Sequence, residues 1–297
     1  MVLSFLENKN ATPFGMFLRR SISGVSVAQV ITFVLMSKLP FFKYQGTGND
    51  FVIVDNREGR VSPKDNQLIR TLCDRRFGVG ADGLILMQNK AGFDFEMVYF
   101  NSDGSGSTMC GNGGRCIVAF ARYLNIIGDS CRFWAVGDAH DARINAQNWV
   151  ELKMAGVGRV EQGDGYFVLN TGSPHYVIFV EDIDDIQVVK SGQVIRYSDR
   201  FRKEGINVDF VEKTKDGLLV ATYERGVENE TLSCGTGVTA SAISSYFASG
   251  KPGHYDVPIK TKGGDLQVKF DAIGGAVFRN VWLCGPAVQV FSGTYLL

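Results

Sequence analysis

The sequence lacks the marks of several large protein classes. It has no C-x-x-C pair and no tight cluster of cysteine and histidine, which removes the common zinc and dithiol patterns. Six cysteines in 297 residues are too few for a disulfide scaffold, so reduced thiols in the cytoplasm are expected. Charge of one sign is also missing. The 31 basic and 31 acidic residues cancel, and no block of like charge stands out, so neither nucleic acid nor an anionic membrane meets a complementary surface. The apolar run Val25 to Leu35 falls short of the ~18 residues that a membrane span needs. Long helical patterns are few.

What the chain does have is glycine, and a repeat. Met109-Cys-Gly-Asn-Gly-Gly-Arg115 returns as Ser233-Cys-Gly-Thr-Gly237, with Cys110 and Cys234 separated by 124 positions. Thr47-Gly48-Asn49-Asp50-Phe51-Val52-Ile53 faces Thr171-Gly172-Ser173-Pro174-His175-Tyr176-Val177 at the same interval, and Arg76-Phe77 returns as Arg200-Phe201. A self-match at constant separation in three places predicts two copies of one unit, and 45% hydrophobic residues give each copy an ordinary core.

Residues 1–37 stand outside this repeat. Arg19-Arg20 before the apolar run has the outline of a signal-peptide core without a small-residue cleavage site. Either a start codon placed too early, with Met36 as the true first residue, or an organelle-targeting segment accounts for it. The expected division is an extension at 1–37, a first half at 38–154 joined by the C-terminal strand region 282–297, and a second half at 155–281. Within the halves, strands are expected at Phe51–Val54, Leu84–Met87, Phe95–Phe100, Tyr176–Val180, Val208–Val211, Leu218–Thr222 and Leu266–Phe270. Short helices are expected near Leu68–Arg76 and Val194–Lys203. Each Cys-Gly is followed by a better helix, Arg115–Leu124 and Val238–Ala248. The second is rich in small residues, which suits burial inside a sheet. Gly78-Val-Gly-Ala-Asp-Gly83 fits G-x-G-x-x-G, but no strand precedes it and a strand follows, so it reads as a turn rather than a nucleotide site.

Two thiols at helix starts suggest acid/base chemistry. The partial positive charge there is expected to lower a thiol pKa from about 8.5 toward neutrality. Pseudo-twofold packing of the copies would aim both sulfurs at one carbon, and inversion needs one group to remove a proton while another delivers one to the opposite face. The same glycine-rich helix starts offer free N–H groups to a carboxylate. This scheme requires no pyridoxal-anchoring lysine, no cofactor and no metal. Cys73, Cys116, Cys131 and Cys284 lack the combination of helix start and following glycine, and are expected to be buried core residues.

From about Lys38 to the C-terminus the chain resembles diaminopimelate epimerase. The motifs that carry the likeness are Gly48-Asn-Asp-Phe51, Asn101-Ser-Asp-Gly104, Met109-Cys-Gly-Asn-Gly113, Gly172-Ser-Pro-His175, Gly205-Ile-Asn-Val208, Tyr223-Glu-Arg-Gly226 and Cys234-Gly-Thr-Gly237. The resemblance implies an α+β fold of two pseudo-twofold-related halves, each a barrel-like sheet around a central helix. It implies pyridoxal-independent interconversion of LL- and meso-2,6-diaminopimelate, toward lysine and peptidoglycan precursors. Cys110 and Cys234 would be the acid/base pair, with His175 and Glu224 beside them. Gly111, Asn112, Gly235 and Thr236 would hold the carboxylate at the reacting centre. Asn49, Asn101, Ser173, Asn207, Glu224 and Arg225 match substrate-binding positions, and a bidentate guanidinium suits a distal carboxylate.

The chain departs from that family at Ser173, where asparagine is frequent, and at Gly83, where glutamine is frequent; each loses a polar contact. A proline or hydroxyproline racemase of similar fold is the nearest alternative. A non-enzymatic two-lobed amino-acid-binding protein with a redox-active cysteine pair is the other. A homodimer is left open by the sequence.

Overall fold

Strands whose residues are apolar at every position need cover on both faces, and here both are covered. In a computed structural model, residues 38–107, 109–247 and 250–297 are described. The elements run β1 (Lys38–Gly46), β2 (Asn49–Asp55), α1 (Asn66–Cys73), β3 (Gly83–Gln88), β4 (Glu96–Asn101), α2 (Gly111–Tyr123), β5 (Ser130–Ala135), β6 (Asp138–Ile144) and β7 (Trp149–Lys153). They continue with β8 (Val160–Gln162), β9 (Tyr166–Asn170), β10 (Pro174–Val180), α3 (Val188–Arg196), β11 (Asn207–Thr214), β12 (Gly217–Glu224) and β13 (Asn229–Thr231). The last are α4 (Gly235–Tyr246), β14 (Gly253–Thr261), β15 (Gly264–Gly274), β16 (Val277–Pro286) and β17 (Val288–Leu296).

The strand pairing is laid down twice. β2 and β3 pair in parallel, with Phe51 opposite Gly83, as β10 and β11 do, with His175 opposite Asn207. β3 and β4 pair antiparallel, with Ile85 opposite Tyr99, as β11 and β12 do, with Asp209 opposite Thr222. In the first set the even and odd residues of β2 and β3 divide between two cores. Phe51, Ile53, Ile85 and Met87 pack with α2, while Val52, Val54, Leu84 and Leu86 pack with Ile69 and Leu72 of α1. In the second set Val177, Val211 and Val220 pack with α4, while Val208, Phe210 and Tyr223 pack beneath α3 with Val188 and Ile195.

Both central helices are enclosed. Every residue of α2 from Gly111 to Ala121 is buried, and α4 is buried from Gly237 to Ser244. Side chains such as Ile117 and Phe120, fully withdrawn from water, stabilise the fold by about 1.5–3 kcal/mol each. β16 joins the two sets: Trp282, Leu283 and Cys284 pair with β15 on one side and with β7 on the other. Residues Leu39–Tyr295 accordingly form one compact unit.

Several expectations need correction. α1 ends at Cys73 rather than Arg76, because the Asp74 carboxylate accepts from the N–H groups of Arg76 and Phe77 and turns the chain. α3 lies over Val188–Arg196, not Val194–Lys203; Ser198 to Glu204 form turns in which the Phe201 carbonyl accepts from Gly205 N–H. Both central helices start at the glycine after the cysteine, four and three residues earlier than the apolar pattern indicated. Strands over Lys38–Gly46, within 130–153 and over Gly253–Thr261 add to those expected. Gly78–Asp82 is a turn feeding β3. The expectations for residues 1–37 and for Ala248 fall outside the described residues. No helix among the described residues is long and apolar enough to cross a membrane.

Candidate active site

The site starts from a tight turn. Thr47 (φ 50) and Gly48 (φ 84) both take the left-handed conformation and close the β1–β2 hairpin, with Gly46 opposite Asn49. This two-residue loop matches the twist of the flanking strands and delivers Asn49 beside α2. Asn49 Oδ1 accepts from Asn112 Nδ2 at 3.3 Å and from the Cys110 thiol at 3.6 Å, while Asn49 Nδ2 donates to Asp82 Oδ2 at 2.7 Å. Arg75 links Asp82 to Asp50, and Arg75 with Lys43 holds the Asp50 carboxyl far below its usual range against the opposing effect of burial.

Cys110 and Cys234 are the N-cap residues of α2 and α4, and both have extended backbone. The two helix starts abut: a Cβ built on Gly111 would lie 3.8 Å from Gly235 Cα, and one built on Gly235 would lie 3.6 Å from Gly111 Cα. A side chain at either would only touch the other helix; the conflict is with Leu283 Cδ2, 2.7 Å from a Cβ on Gly111 and 2.8 Å from one on Gly235, so glycine lets Leu283 pack against both starts. Asn112 Nδ2 also donates to the Ser233 carbonyl at 3.1 Å, so a bonded path runs from Cys110 through Asn49 and Asn112 to the residue before Cys234. The Glu224 carboxylate raises the proton affinity of both thiols.

The expectation that helix starts bring these thiols toward neutrality is not met. Burial pushes both up, Cys234 well above its ordinary value. For Cys110 the Gly113 and Asn112 N–H groups oppose that, with Glu224 adding to it. For Cys234, Glu224 and Asp209 add to burial, and the Thr236 hydroxyl and Gly237 N–H oppose. Desolvation of a thiolate outweighs one or two N–H donors. Burial also raises Glu224.

Behind Cys234 lies a buried polar cluster. His175 is fully buried; its Nδ1 lies 2.7 Å from Asp209 Oδ2 and its Nε2 lies 2.8 Å from Thr236 Oγ1. Thr236 Oγ1 is 3.4 Å from Cys234 Sγ. The Thr222 hydroxyl donates to Asp209 Oδ1 at 2.7 Å. Asn207 Nδ2 donates to Ser173 Oγ at 2.9 Å and the Pro174 carbonyl at 3.1 Å, while its Oδ1 accepts from Arg225 N–H at 2.8 Å.

The sequence-derived residues therefore divide. Cys110, Gly111, Asn112, Asn49, Cys234, Gly235, Thr236, His175 and Glu224 gather around the two helix starts; Ser173, Asn207 and Arg225 form an adjoining cluster through Asn207. Arg225 donates to the Glu204 carbonyl at 2.9 Å and has no carboxylate in ion-pairing range among the described residues. Asn101 is not tied to the thiols: its amide donates to Ser105 Oγ within its own turn at 3.3 Å. The two departures acquire physical reasons. The Ser173 hydroxyl is the acceptor for Asn207, and a Cβ at Gly83 would collide with the Tyr99 ring and the Phe100 carbonyl. Asp209, Thr222, Asp82 and Tyr99 were not singled out from the sequence. A cavity of about 710 Å³ opens beside Arg70, Arg75, Asp82 and Ser105, next to the thiol site rather than in it.

The family model described as diaminopimelate epimerase matches residues 41–156 and 167–290. The chain belongs to the diaminopimelate epimerase family. Among curated members of that family, the diaminopimelate epimerase of Flavobacterium psychrophilum is 50% identical over 258 residues, covering 86% of this chain and all of the relative. That of Chlorobaculum tepidum is 40% identical, covering 85% and 99%. Solved structures that share the family's fold include a Bacillus anthracis phenazine biosynthesis protein of the PhzF family (TM-score 0.66, 14% identity, covering 88% of this chain and all of that one). A probable proline racemase from Agrobacterium radiobacter K84 is another (TM-score 0.64, 13% identity, covering 87% and 93%). At such identities the likeness is one of fold.

Proposed function

We propose that this chain is a cofactor-independent epimerase that interconverts LL- and meso-2,6-diaminopimelate, with Cys110 and Cys234 as its two acid/base groups. The observation that carries the reading is the abutment of two cysteine-capped helix starts at Gly111 and Gly235. In the forward step one cysteine, as thiolate, removes the α-proton and becomes a thiol. The other, as thiol, delivers its proton to the opposite face and is left as thiolate. One proton leaves the carbon and one arrives, so the configuration inverts with no redox change. Negative charge spreading into the α-carboxylate meets backbone N–H groups of Gly111–Asn112 and Gly235–Thr236. Arg225 would take the distal carboxylate, and Asn49, Asn207, Ser173 and Glu224 the remaining polar groups; Asn101 would join them at the mouth of the site. His175 acts beside the thiols rather than on the substrate. Residues 38–154 with 282–297, and 155–281, are read as the two halves, each supplying one thiol. Free thiols at all six cysteines suit a reducing compartment such as the cytoplasm.

Proton NMR of LL-diaminopimelate in deuterated water tests this directly. The expected result is loss of the α-proton signal together with appearance of the meso isomer, and neither Cys110→Ala nor Cys234→Ala epimerises. Full epimerase rate in either variant, or turnover of proline in place of diaminopimelate, would overturn the reading.

A further inference from the structure

The strand registers allow the surroundings of the two thiols to be compared place by place. Phe51 opposite Gly83 corresponds to His175 opposite Asn207; Ile85 opposite Tyr99 corresponds to Asp209 opposite Thr222; Gly113 of α2 corresponds to Gly237 of α4. Beneath Gly113 a built Cβ would meet the apolar ends of Met97, Ile85 and Phe51 at 3.1–3.5 Å. Beneath Gly237 it would meet Asp209 Oδ1 and Thr222 Oγ1. The fold is repeated, then, but the core behind Cys110 is hydrocarbon while that behind Cys234 is a fully bonded carboxylate and imidazole. Burying Asp209 at zero exposure costs stability unless its oxygens are satisfied, and an apolar residue serves the same place in the other half.

The hydrogen bonds of this cluster have one consistent direction. Asp209 Oδ2 can only accept from His175 Nδ1, so the single proton of a neutral imidazole sits on Nδ1. Nε2 is then an acceptor, and the amide nitrogen of Asn207 3.3 Å away, which cannot itself accept, agrees. The orientation of that amide is fixed by Arg225 N–H on its oxygen and the Pro174 carbonyl on its nitrogen. The Thr236 hydroxyl therefore donates to Nε2 and presents its lone pair to the Cys234 thiol.

We propose that Asp209 is a positioning residue for one thiol alone: it holds His175 in the tautomer that can draw the Cys234 proton through the Thr236 hydroxyl. The proposal rests on the two-thiol reading above and deepens it. In the step, the S–H proton of Cys234 passes to Thr236 Oγ as the Thr236 proton passes to His175 Nε2. A neutral thiol and a neutral imidazole become a thiolate and an imidazolium; Thr236 ends as it began, and Asp209 stabilises the new cation through Nδ1. No oxidant or further reactant is involved. The polar groups facing the relay are Asp209 and Asn207 from β11, Thr222 and Glu224 from β12, and Thr236 from α4. Cys110 faces Asn49 and Glu224 and has no imidazole in bonding contact among the described residues. The relay thus arms Cys234 as base, leaving Cys110 as the proton donor of the resting enzyme.

Residue-resolved alkylation by iodoacetamide between pH 6 and 10, read by mass spectrometry on the full chain without substrate, tests this apart from turnover. Asp209→Asn and Thr236→Val are each expected to slow alkylation of Cys234 by ~10-fold at pH 7.5, the scale on which thiolate fraction controls reactivity. The midpoint for Cys234 should move to higher pH, because losing the imidazolium that faces the thiolate outweighs relief from the Asp209 charge, which by itself favours the thiol; Cys110 should stay within about twofold, and Thr236→Ser should restore Cys234. In the epimerase assay Asp209→Asn should lower kcat by ~100-fold with KM within about threefold, the range for acid/base support. An unchanged Cys234 midpoint in either variant, or an equal change at Cys110, overturns the proposal. If Asp209→Asn does not fold, the Thr236→Val and Thr236→Ser pair decides by the same criteria. Failure of the wild type to epimerise diaminopimelate would refute the functional reading while the alkylation result still judged the relay.

Discussion

Replacing Gly237 and Gly113 separately by alanine puts the same methyl at the same helical position over two different floors. In both, the change gains up to about 1 kcal/mol of helix propensity. At Gly113 the methyl would lie 3.1 Å from Met97 Cε and 3.2 Å from Ile85 Cδ1, the free ends of flexible side chains, which move by tenths of an ångström. The net change there should stay within about 1 kcal/mol. At Gly237 the methyl collides with Asp209 Oδ1, and that carboxylate cannot retreat without releasing the 2.7 Å bonds to His175 and Thr222. Losing one such charged hydrogen bond costs about 1.5–3 kcal/mol and overpacking adds about 1–3 kcal/mol, so the net loss after a propensity gain of about 1 kcal/mol is about 1.5–5 kcal/mol. Urea unfolding of the two variants, with the slope checked for constancy, measures the difference. The same displacement pulls the acceptor from His175, so Gly237→Ala should also lose epimerase activity by ~100-fold at saturating substrate while Gly113→Ala keeps most of it. Equal unfolding free energies for the two variants, within about 0.5 kcal/mol, would refute the reasoning.

Two further outcomes follow from charges elsewhere. Burial pushes the thiols of Cys73, Cys131 and Cys284 up to about 12 each. Their folded-state values exceed the ~8.5 of an unfolded thiol, so their stabilising contribution is complete below that value and is lost as pH rises toward 12. The loss approaches ~1.4 kcal/mol per pH unit for each thiol, so the urea midpoint should fall steeply between pH 9 and 11; a flat midpoint across that window would contradict it. Asp82→Ala removes the acceptor that holds the Asn49 amide at 2.7 Å. KM should rise by ~10-fold with kcat little changed, as for lost uniform binding, and an unaltered KM would show that Asn49 is oriented without Asp82.

Much of this was legible in the sequence, for identifiable reasons. The 124-residue self-match located both cysteines, and apolar runs such as Leu84–Met87 were visible because such strands are covered on two faces. The starts of α2 and α4 were less legible, since glycine at the first and third helical positions is a poor helix former. Its presence there reflects the approach of Leu283 to Gly111 and Gly235 and of Asp209 to Gly237. The shift of α3 has another origin: Arg200-Phe201 follows the helix, as Arg76-Phe77 follows α1, whereas the expected span 194–203 ran through that pair instead of ending before it. Asp209 was invisible as a functional residue: Val208-Asp-Phe-Val211 reads as a strand, and only the pairing with Thr222 and the facing Gly237 reveals that its carboxylate points inward. The direction of the thiol pKa values was misjudged because depth of burial cannot be read from neighbours in sequence.

The meeting of α2 and α4 has a consequence for which substrates such a scaffold can accept. Two helix dipoles aimed head to head concentrate about one positive charge in total at a single point, and they oppose one another until an anion sits between them. An ester or a primary amide in that seat would relieve nothing. With the carboxylate held there as proposed, recognition of the acid group would be written into the main chain, where single side-chain exchanges could not erase it. The periphery can be refitted to molecules of other shapes while the demand for a carboxylate next to the reacting carbon is kept.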